Sequence, residues 1–405
     1  MSTKMRPIRE TIPFDEALSL ASDAVLPLDR RVQVDLANAN GRVLCSTIYS
    51  TRDVPPFDRA AMDGYAVVAE DTFGASRQQP RLLRKVETIH TGSVPKKPVR
   101  SGECTEIATG APMPEGADAV VMVEETDRSN DDVRIMVPVY PHQHVGRQGA
   151  DIEAGHAVVE SNTVLNPSRI GAIAALGLEE IEVFDQPSVA ILSTGNEIVD
   201  PGKPLGQGQI YDINRYTLAA VIREHGGRVV HHPRVGDDLT ELDAAVEVCL
   251  ESDMVVFSGG SSVGERDLTL DLMERKGTVI FHGIAVKPGK PTAFGRIEHT
   301  PFLGMPGYPT SCLSNAYILL VPLLRKMAHL PPAKKQTIRV PTAQRFLSTT
   351  GRHQFYTVRL EDGQAVPAFK ASGDITSMSK ADGYIEIPAH TDIIEKGEFV
   401  EVTIF

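Results

Sequence analysis

Between residues 186 and 330, short apolar runs alternate with helical patterns, and this alternation constrains the fold more than any other feature of the chain. Such alternation is typical of parallel strands that are joined by helices. Helices are expected at residues 212–224, closed by Gly226 and Gly227, and at residues 239–250. The segment is therefore predicted to be an α/β domain with a parallel sheet. Its expected strands are residues 189–192, 228–230, 254–257 and 301–303.

The part of the chain before this segment changes its predicted secondary structure twice. Apolar residues recur at helical intervals from Phe14 to Ala21, and a helical pattern returns at Pro167. Between these stretches, residues 51–146 are rich in Pro, Gly and Val and carry β-prone runs at 119–123 and 133–137. A β-rich block between two helical stretches indicates an insertion that interrupts one domain.

Four domains are therefore expected. Residues 331–405 contain short strand patterns and turns, which predict a small C-terminal β-barrel or sandwich. The predicted domains are a split N-terminal domain (1–50 plus 147–185), an inserted β-rich domain (51–146), the α/β domain (186–330) and the C-terminal β domain (331–405).

Composition excludes some classes of function. The formal charge is −12, from 41 basic and 53 acidic residues, and tryptophan is absent. Both features argue against a nucleic-acid binder. No apolar run reaches the roughly 20 residues of a membrane-spanning helix, and the start of the chain lacks a signal-peptide core. The four cysteines show no metal-ligand spacing, so we expect a cytoplasmic protein with free thiols.

The loops that follow three of the predicted strands are rich in small and hydroxyl-bearing residues. They span residues 193–197, 258–267 and 304–311. Small residues let backbone N–H groups approach an anion, and hydroxyls add further donors. Tight turns with nothing bound are the alternative for any one loop, but three at one sheet edge favour an oxyanion site. The residues expected there are Ser193, Thr194, Gly195, Ser258, Gly259, Gly260 and Ser262.

Two further groups of charged residues accompany these loops. Lys287 and Lys290 lie between prolines, and such lysines either hold an oxyanion or remain solvated on the surface. Glu197, Asp237 and Asp267 follow strands of the same domain. Carboxylates beside a phosphate site indicate a magnesium ion, Mg²⁺, although an aspartate at 237 or 238 could instead cap the next helix.

Two loops outside the α/β domain complete the set of candidates. Residues 56–66 include Asp63 in an Asp-Gly turn, and residues 109–118 begin with Thr109. Either loop alone is equally well explained as a structural connection.

Taken together, these segments resemble the molybdopterin molybdenumtransferase family, which comprises the MoeA-type proteins and the gephyrin E domain. The resemblance runs from about residue 11 to the C-terminus. Seven segments carry it in the same order: residues 57–66, 109–116, 193–197, 209–212, 258–267, 287–291 and 304–309.

The resemblance implies an elongated homodimer of four-domain subunits. The α/β domain of one subunit would face the inserted β-rich domain of the other, so that each site is shared between subunits. It also implies the reaction, in which molybdate is inserted into adenylylated molybdopterin and AMP is released to complete the molybdenum cofactor.

The family's functional positions carry over by motif. Catalytic roles fall on Asp63, Thr109, Glu197, Asp237 and Asp267, of which Asp237 and Asp267 would also bind Mg²⁺. The further positions around the substrate and its oxyanion are Pro306, Pro309, Lys287, Lys290 and Ser311.

Some positions depart from the family pattern. Gly283 stands where many members carry lysine, and Thr357 stands where arginine is frequent. Asn196 and Tyr308 replace a frequent Asp and a frequent Asn. These departures leave the preference for molybdate or tungstate open. Two other functions remain as alternatives: the preceding adenylylation of the pterin, and a non-catalytic scaffold with the same fold.

Overall fold

The computed structural model describes residue 8 and residues 10–236, 239–259 and 268–405. The chain forms two compact units. Unit 1 contains the chain up to Val32 together with Gly41–Val43 and Val183–Phe405. Unit 2 contains Gln33–Asn40 and Leu44–Glu182.

Helices occur in both units. No helix within the described residues is long and apolar enough to cross a membrane. Short 3₁₀ turns cover Leu36–Asn38, Ala69–Thr72 and Val123–Glu125, and a π-helical turn at Ala316–Leu320 joins α6 to α7. The α-helices are α1 Phe14–Ala24, α2 Pro167–Ala175, α3 Asn214–Glu224, α4 Leu239–Cys249, α5 Leu268–Lys276, α6 Pro309–Asn315, α7 Val321–Met327 and α8 Thr376–Ser379.

The strands of the first half of the chain are β1 Arg31–Asp35, β2 Ile48–Tyr49, β3 Arg59–Ala60, β4 Gly64–Val67, β5 Arg81–Ile89, β6 Glu103–Ile107, β7 Ala119–Met122, β8 Thr126–Ser129, β9 Asp132–Ile135, β10 Val145–Gly146, β11 Ala157–Val159 and β12 Glu180–Phe184. Those of the second half are β13 Ser188–Thr194, β14 Ile198–Val199, β15 Ile210–Tyr211, β16 Arg228–His231, β17 Arg234–Val235, β18 Met254–Ser258, β19 Gly277–His282, β20 Val286–Lys287, β21 Ala293–Ile297, β22 Thr300–Met305, β23 Thr337–Pro341, β24 Phe346–Leu347, β25 His353–Glu361, β26 Gln364–Pro367, β27 Gly383–Ile387, β28 Ile393–Ile394 and β29 Phe399–Ile404.

The main sheet of unit 1 has the order β16-β13-β18-β22-β21-β19, and β17 also pairs with β13. The four runs predicted from sequence form the parallel strands β16, β13, β18 and β22. The sheet is nevertheless mixed, because β21 and β19 add to it antiparallel. A tight turn at Glu298 and His299, with Glu298 at a φ of 52°, reverses the chain between β21 and β22.

Helices cover both faces of this sheet. On one face, Val189 and Ile191 of β13 pack in a core that also contains residues of α1, α3 and α7. On the other face, Ala190 and Leu192 pack with residues of α4 and α5. Since both of their faces are buried, β13, β18 and β22 are mainly apolar, and β13 and β18 end in buried hydroxyl-bearing residues. The edge strand β16 is less buried and begins at the exposed Arg228.

The C-terminal region builds a second sheet of unit 1. Its order is β20-β25-β27-β29-β23, with β26 pairing with β25, and β24 pairs separately with β28. Phe346, Val358 and Ile385 lie in its core. The edge strand β20 pairs Lys287 with Gln354, so the predicted lysine segment, residues 287–291, begins at this sheet.

Unit 2 contains a six-stranded sheet of order β7-β4-β6-β5-β9-β8. Tyr65, Leu83 and Val121 lie in its buried core. The multidomain fold class, with an α/β part and β-rich parts, is confirmed. The four domain boundaries remain predictions.

The chain first enters unit 2 on β1 and finally returns to unit 1 on β12, and these two strands pair with each other. Within unit 1, the Asp185 N–H donates to the Arg30 carbonyl over 2.8 Å. Within unit 2, the Leu36 N–H donates to the Glu179 carbonyl over 3.0 Å. The outgoing and returning segments therefore lie side by side.

Candidate functional site

The three loops predicted to hold an oxyanion begin at one edge of the unit 1 sheet. In the strand register, Ser193 of β13 lies opposite Ser258 of β18, and Ser258 lies opposite Met305 of β22. Since the strands are parallel, their carboxyl ends and the loops that follow them come together at this edge.

Gly259 makes the close approach of these loops possible. Its φ is +111°, and a Cβ atom at this position would lie 2.4 Å from the carbonyl oxygen of Thr194. A Cβ atom at Gly307 would lie 3.8 Å from the Gly259 Cα atom. No residue with a side chain could occupy position 259 without separating the loops.

Polar atoms without partners lie at the same edge. Ser193 and Thr194 are each only 3% exposed. Their hydroxyl oxygens have no hydrogen-bond partner within the described part of the chain. Buried polar groups are normally paired, so these hydroxyls mark the edge as a place where a polar ligand would be accommodated.

Asp212 and Asn214, at the start of α3, join this cluster although the sequence analysis assigned them no role. Asp212 is 3% exposed. Its Oδ1 accepts a hydrogen bond of 3.0 Å from the Arg215 N–H. Its Oδ2 lies 3.7 Å from Arg215 Nε and accepts no hydrogen bond within the described residues. The signal in the sequence was the segment 209–212, which carries part of the family resemblance. The spacing of residues along the chain does not reveal that Asp212, which precedes α3, lies at the carboxyl edge of the sheet.

Cys312 of α6 lies beside Ser258 and Asp212. Burial raises the pKa of its thiol to about 12, and the Asp212 charge adds to this rise. The thiol therefore stays protonated at neutral pH and is an unreactive part of the wall.

Glu197 and the loop of residues 304–311, called the proline loop, border the same cluster. Glu197 is exposed, and its carboxylate folds back over Gly195, where a Cβ atom would lie 2.6 Å from a carboxylate oxygen. Pro306 is buried, and Pro309 is the first residue of α6. Ser311, in the first turn of that helix, is 3% exposed.

The two predicted lysines are partly buried and already have protein partners. Lys287 Nζ donates to Thr349 Oγ1 over 2.7 Å, and Lys290 Nζ donates to the Ile8 carbonyl over 2.7 Å. An ammonium group has three donors, and each lysine uses one of them in these bonds, which leaves two that no other described residue is shown to take.

In unit 2, the structure brings Asp63 and Thr109 together. The antiparallel pairing of β4 with β6 places Gly64 opposite Ile107. The Thr109 N–H and hydroxyl both donate to Asp63 Oδ1, over 2.7 Å and 3.0 Å. These two bonds, the N–H bond first, hold the pKa of the exposed Asp63 below its usual value. Asp63 Oδ2 takes no part in them.

Four predicted site residues, Asp237, Gly260, Ser262 and Asp267, lie outside the described residues. Within the described ranges, no group of three or more His, Cys, Asp or Glu side chains is arranged to hold a metal ion.

Family models match nearly the whole chain. Residues 12–177 match the MoeA N-terminal region (domain I and II), residues 190–326 match a probable molybdopterin binding domain, and residues 339–405 match the MoeA C-terminal region (domain IV).

Individual proteins match over similar lengths. Molybdopterin molybdenumtransferase 2 of Mycobacterium tuberculosis is 36% identical over 90% of this chain and 92% of its own length. The molybdopterin molybdenumtransferase of Haemophilus influenzae is 38% identical over 73% of this chain and 72% of its own. The crystal structure of a molybdopterin biosynthesis MoeA protein from Pyrococcus horikosii is 41% identical, covers 98% of this chain and 99% of its own, and superposes with a TM-score of 0.83.

Proposed function

Because the chain belongs to the MoeA family of molybdopterin molybdenumtransferases, we propose that it inserts molybdate into adenylylated molybdopterin and releases AMP. The chain is a transferase of molybdenum cofactor biosynthesis. The adenylylated form of the substrate, the release of AMP and the identity of the oxyanion are the parts that this proposal adds.

The observation that supports the proposal best is the convergence of the three loops at the edge of the sheet. Gly259 lies against Thr194, and Gly307 lies near Gly259, while the buried Ser193 and Thr194 hydroxyls at the same edge have no hydrogen-bond partner within the described residues. Fixed donors of this kind stabilise the charge that develops when a pyrophosphate bond breaks. We assign the pyrophosphate of the substrate to this place.

Molybdate belongs beside the lysine segment in this scheme. Lys287 and Lys290 each keep two donors for an oxyanion. The dithiolene sulfurs of the pterin, which are soft ligands, then take the metal from its oxygens. The protein binds and orients both reactants without itself becoming a ligand of the molybdenum.

The proposed resident cofactor is Mg²⁺. Its donor set suits this ion, because carboxylate oxygens near a phosphate site are hard ligands. Asp237 and Asp267 would hold it, and the buried Asp212 Oδ2, which accepts no hydrogen bond within the described residues and lies 3.7 Å from Arg215 Nε, is a further carboxylate oxygen of unit 1. When bound, the ion supplies neutralisation of the pyrophosphate charge.

We also propose that the site is completed in a homodimer. Asp63 and Thr109 of the partner subunit would approach the loops bearing Glu197 and Pro306. The support is the family resemblance and the exposed, hydrogen-bonded pair that Asp63 forms with Thr109. A cytoplasmic location fits the four free cysteines.

The experiment that tests the function is incubation of the purified protein with adenylylated molybdopterin, Mg²⁺ and molybdate. We expect molybdate-dependent AMP release and a product that activates a cofactor-free molybdoenzyme. Tungstate in place of molybdate gives the preference between the two oxyanions. Formation of adenylylated molybdopterin and pyrophosphate from molybdopterin and ATP, without molybdate-dependent AMP release, would contradict the proposal and favour the adenylylation step.

A further inference from the structure

Two buried asparagines stand at the ends of helices in unit 1, and neither belongs to the residues assigned so far to the reaction. Asn214 is the first residue of α3 and is 8% exposed. Asn315 is the last residue of α6 and is fully buried. Burying an amide is costly unless its hydrogen bonds are satisfied, so the partners of these side chains are informative.

Asn214 connects two of the three converging loops. Its Nδ2 donates to Ser258 Oγ over 2.8 Å and to the Gly307 carbonyl over 2.8 Å. Ser258 ends β18, and Gly307 lies in the loop after β22. One amide group thus fixes the distance between the Ser258–Gly259 loop and the proline loop.

Asn315 has the same arrangement on the lysine segment. Its Nδ2 donates to the Gly289 carbonyl over 3.0 Å and to Thr292 Oγ1 over 2.5 Å. The Thr292 hydroxyl in turn donates to the Gly289 carbonyl over 2.8 Å. Gly289 has a φ of +107°, and a Cβ atom there would lie 2.4 Å from Asn315 Nδ2. The amide therefore sits directly against the turn between Lys287 and Lys290.

The orientation of both amides follows from their partners. The carbonyls of Gly307 and Gly289 can only accept hydrogen bonds, so the nitrogen and not the oxygen must face them. In each case one hydrogen goes to a loop carbonyl and the other to a hydroxyl. Neither Oδ1 atom has a partner within the described residues. Both N–H donors of each amide therefore bind atoms of the loops or of residues beside them.

We propose that Asn214 and Asn315 are positioning residues with separate tasks. Asn214 holds the loops that receive the pyrophosphate of the adenylylated pterin, and Asn315 holds the lysine segment that receives molybdate. This inference rests on the proposed function. It predicts that the two asparagines affect the two substrates differently, because the loops they hold are different.

The test is steady-state kinetics of Asn214→Ala and Asn315→Ala with each substrate varied in turn. We expect Asn214→Ala to raise KM for adenylylated molybdopterin roughly tenfold with little change in KM for molybdate. Asn315→Ala should do the reverse, by a similar factor. The matched control is Asn166→Ala in unit 2, which removes the side chain that caps α2 by accepting the Arg169 N–H over 2.9 Å. That control should lower the thermal midpoint and leave both KM values unchanged.

Equal changes in both KM values, or a lower thermal midpoint with wild-type KM values, would show that the asparagines only support the fold. Either result overturns the inference while the wild-type protein still releases AMP. If the wild-type protein itself releases no AMP with molybdate, the proposed function fails and the inference fails with it. Should the alanine variants not fold, Asn214→Asp and Asn315→Asp keep the shape, remove the donors while ionised, and face the same criteria.

Discussion

Asp63 of unit 2 accepts two hydrogen bonds from Thr109 on the same carboxylate oxygen. Both donors of Thr109 bind its Oδ1, and Asp63 is exposed, with no hydrogen bond to its Oδ2 from the described residues. The same two bonds depress the pKa of Asp63. Because a depressed pKa keeps the carboxylate charged as pH falls, Asp63 remains an anion throughout the range from pH 5 to 8.

Replacement of Asp63 tests whether this anion takes part in the reaction. We expect Asp63→Ala to reduce metal insertion by about 100-fold or more, a loss typical of a group that acts in the transition state. Because Asp63 is exposed, the thermal midpoint should hardly change. The control is Asp127→Ala, which removes another exposed carboxylate of unit 2. A wild-type rate of cofactor synthesis by the purified Asp63 variant would exclude the role.

Asp267, which lies outside the described residues, is one of the two aspartates proposed to bind Mg²⁺, and its replacement tests that proposal. Asp267→Asn removes one charge with little change in size, so AMP release should need a higher Mg²⁺ concentration. The measurement is the AMP release rate at increasing Mg²⁺ concentration, with Glu274→Gln as a control for an exposed charge nearby in sequence. An unchanged Mg²⁺ dependence would argue against a metal role for Asp267.

Gly283 shows how a departure from the family pattern fits the structure. A Cβ atom at this position would lie 2.5 Å from the Ile8 side chain and 3.0 Å from the Glu10 carbonyl oxygen. The Ala285 N–H also donates to the Ile12 carbonyl over 2.8 Å. The N-terminal segment thus occupies the space that a side chain at position 283 would need.

At the scale of elements, the C-terminal sheet carries a group of polar side chains around Glu386 of β27. His353 Nε2 of β25 lies 3.3 Å from its carboxylate, and Lys335 Nζ lies 2.6 Å away. These two groups, His353 first, lower the pKa of Glu386 from 4.5 to about 2 against the opposing effect of burial. The His353 ring also contacts the ring of Phe14 in α1, with 5.5 Å between centroids.

The sign of the pH dependence follows from this lowered pKa. The stabilisation from Glu386 is fully present above about pH 4.5 and is lost as pH falls towards about 2. Glu386→Gln should therefore be less stable than wild type at pH 7, and the difference should shrink on acidification. Denaturant midpoints of both proteins between pH 7 and pH 3 measure this. A difference that stays constant with pH would contradict the assignment, and Glu361→Gln in the same sheet serves as an exposed control.

The elements differ in how well the sequence predicted them. Strands β13, β18 and β22 were predicted because burial on both faces requires apolar runs, which are visible in any sequence, whereas the edge strand β16 was predicted from Val229 and Val230. The antiparallel strands β19 and β21 were missed. The turn between β21 and β22 uses Glu298 at a φ of 52°, where glycine or asparagine would have signalled a hairpin.

The same distinction applies to the candidate site. Its loops were predicted because glycine, serine and proline stand out by type. The contact between Asp63 and Thr109 depends on the pairing of β4 with β6, and spacing along the chain does not reveal that pairing. Asn214 and Asn315 were missed because their hydrogen-bond partners are distant in sequence, and only the folded structure brings these partners next to the helices.

At the scale of the whole molecule, the homodimer proposal can be tested by mixing inactive chains. If Asp63 of one subunit serves the loops of its partner, an Asp63→Ala chain paired with an Asp267→Asn chain forms one site that lacks both groups and one intact site. Random pairing makes about half of the dimers mixed, so roughly a quarter of wild-type activity per total site should return. The measurement is AMP release after joint unfolding and refolding.

The controls are each variant refolded alone, which should stay inactive. Mixed dimers have to be demonstrated independently, for example with two different affinity tags. Zero recovery in a sample shown to contain mixed dimers would mean that both residues serve a site within one chain.

The paired crossings at β1 and β12 have a consequence for the ancestry of the chain. The Arg30 carbonyl binds the Asp185 N–H, and the Leu36 N–H binds the Glu179 carbonyl, so the segment between them begins and ends at one place. Closing such a gap needs only a short connection, which costs little chain entropy. The intervening residues could therefore have been gained, lost or exchanged in a single genetic event, without any strand of the α/β sheet being rethreaded.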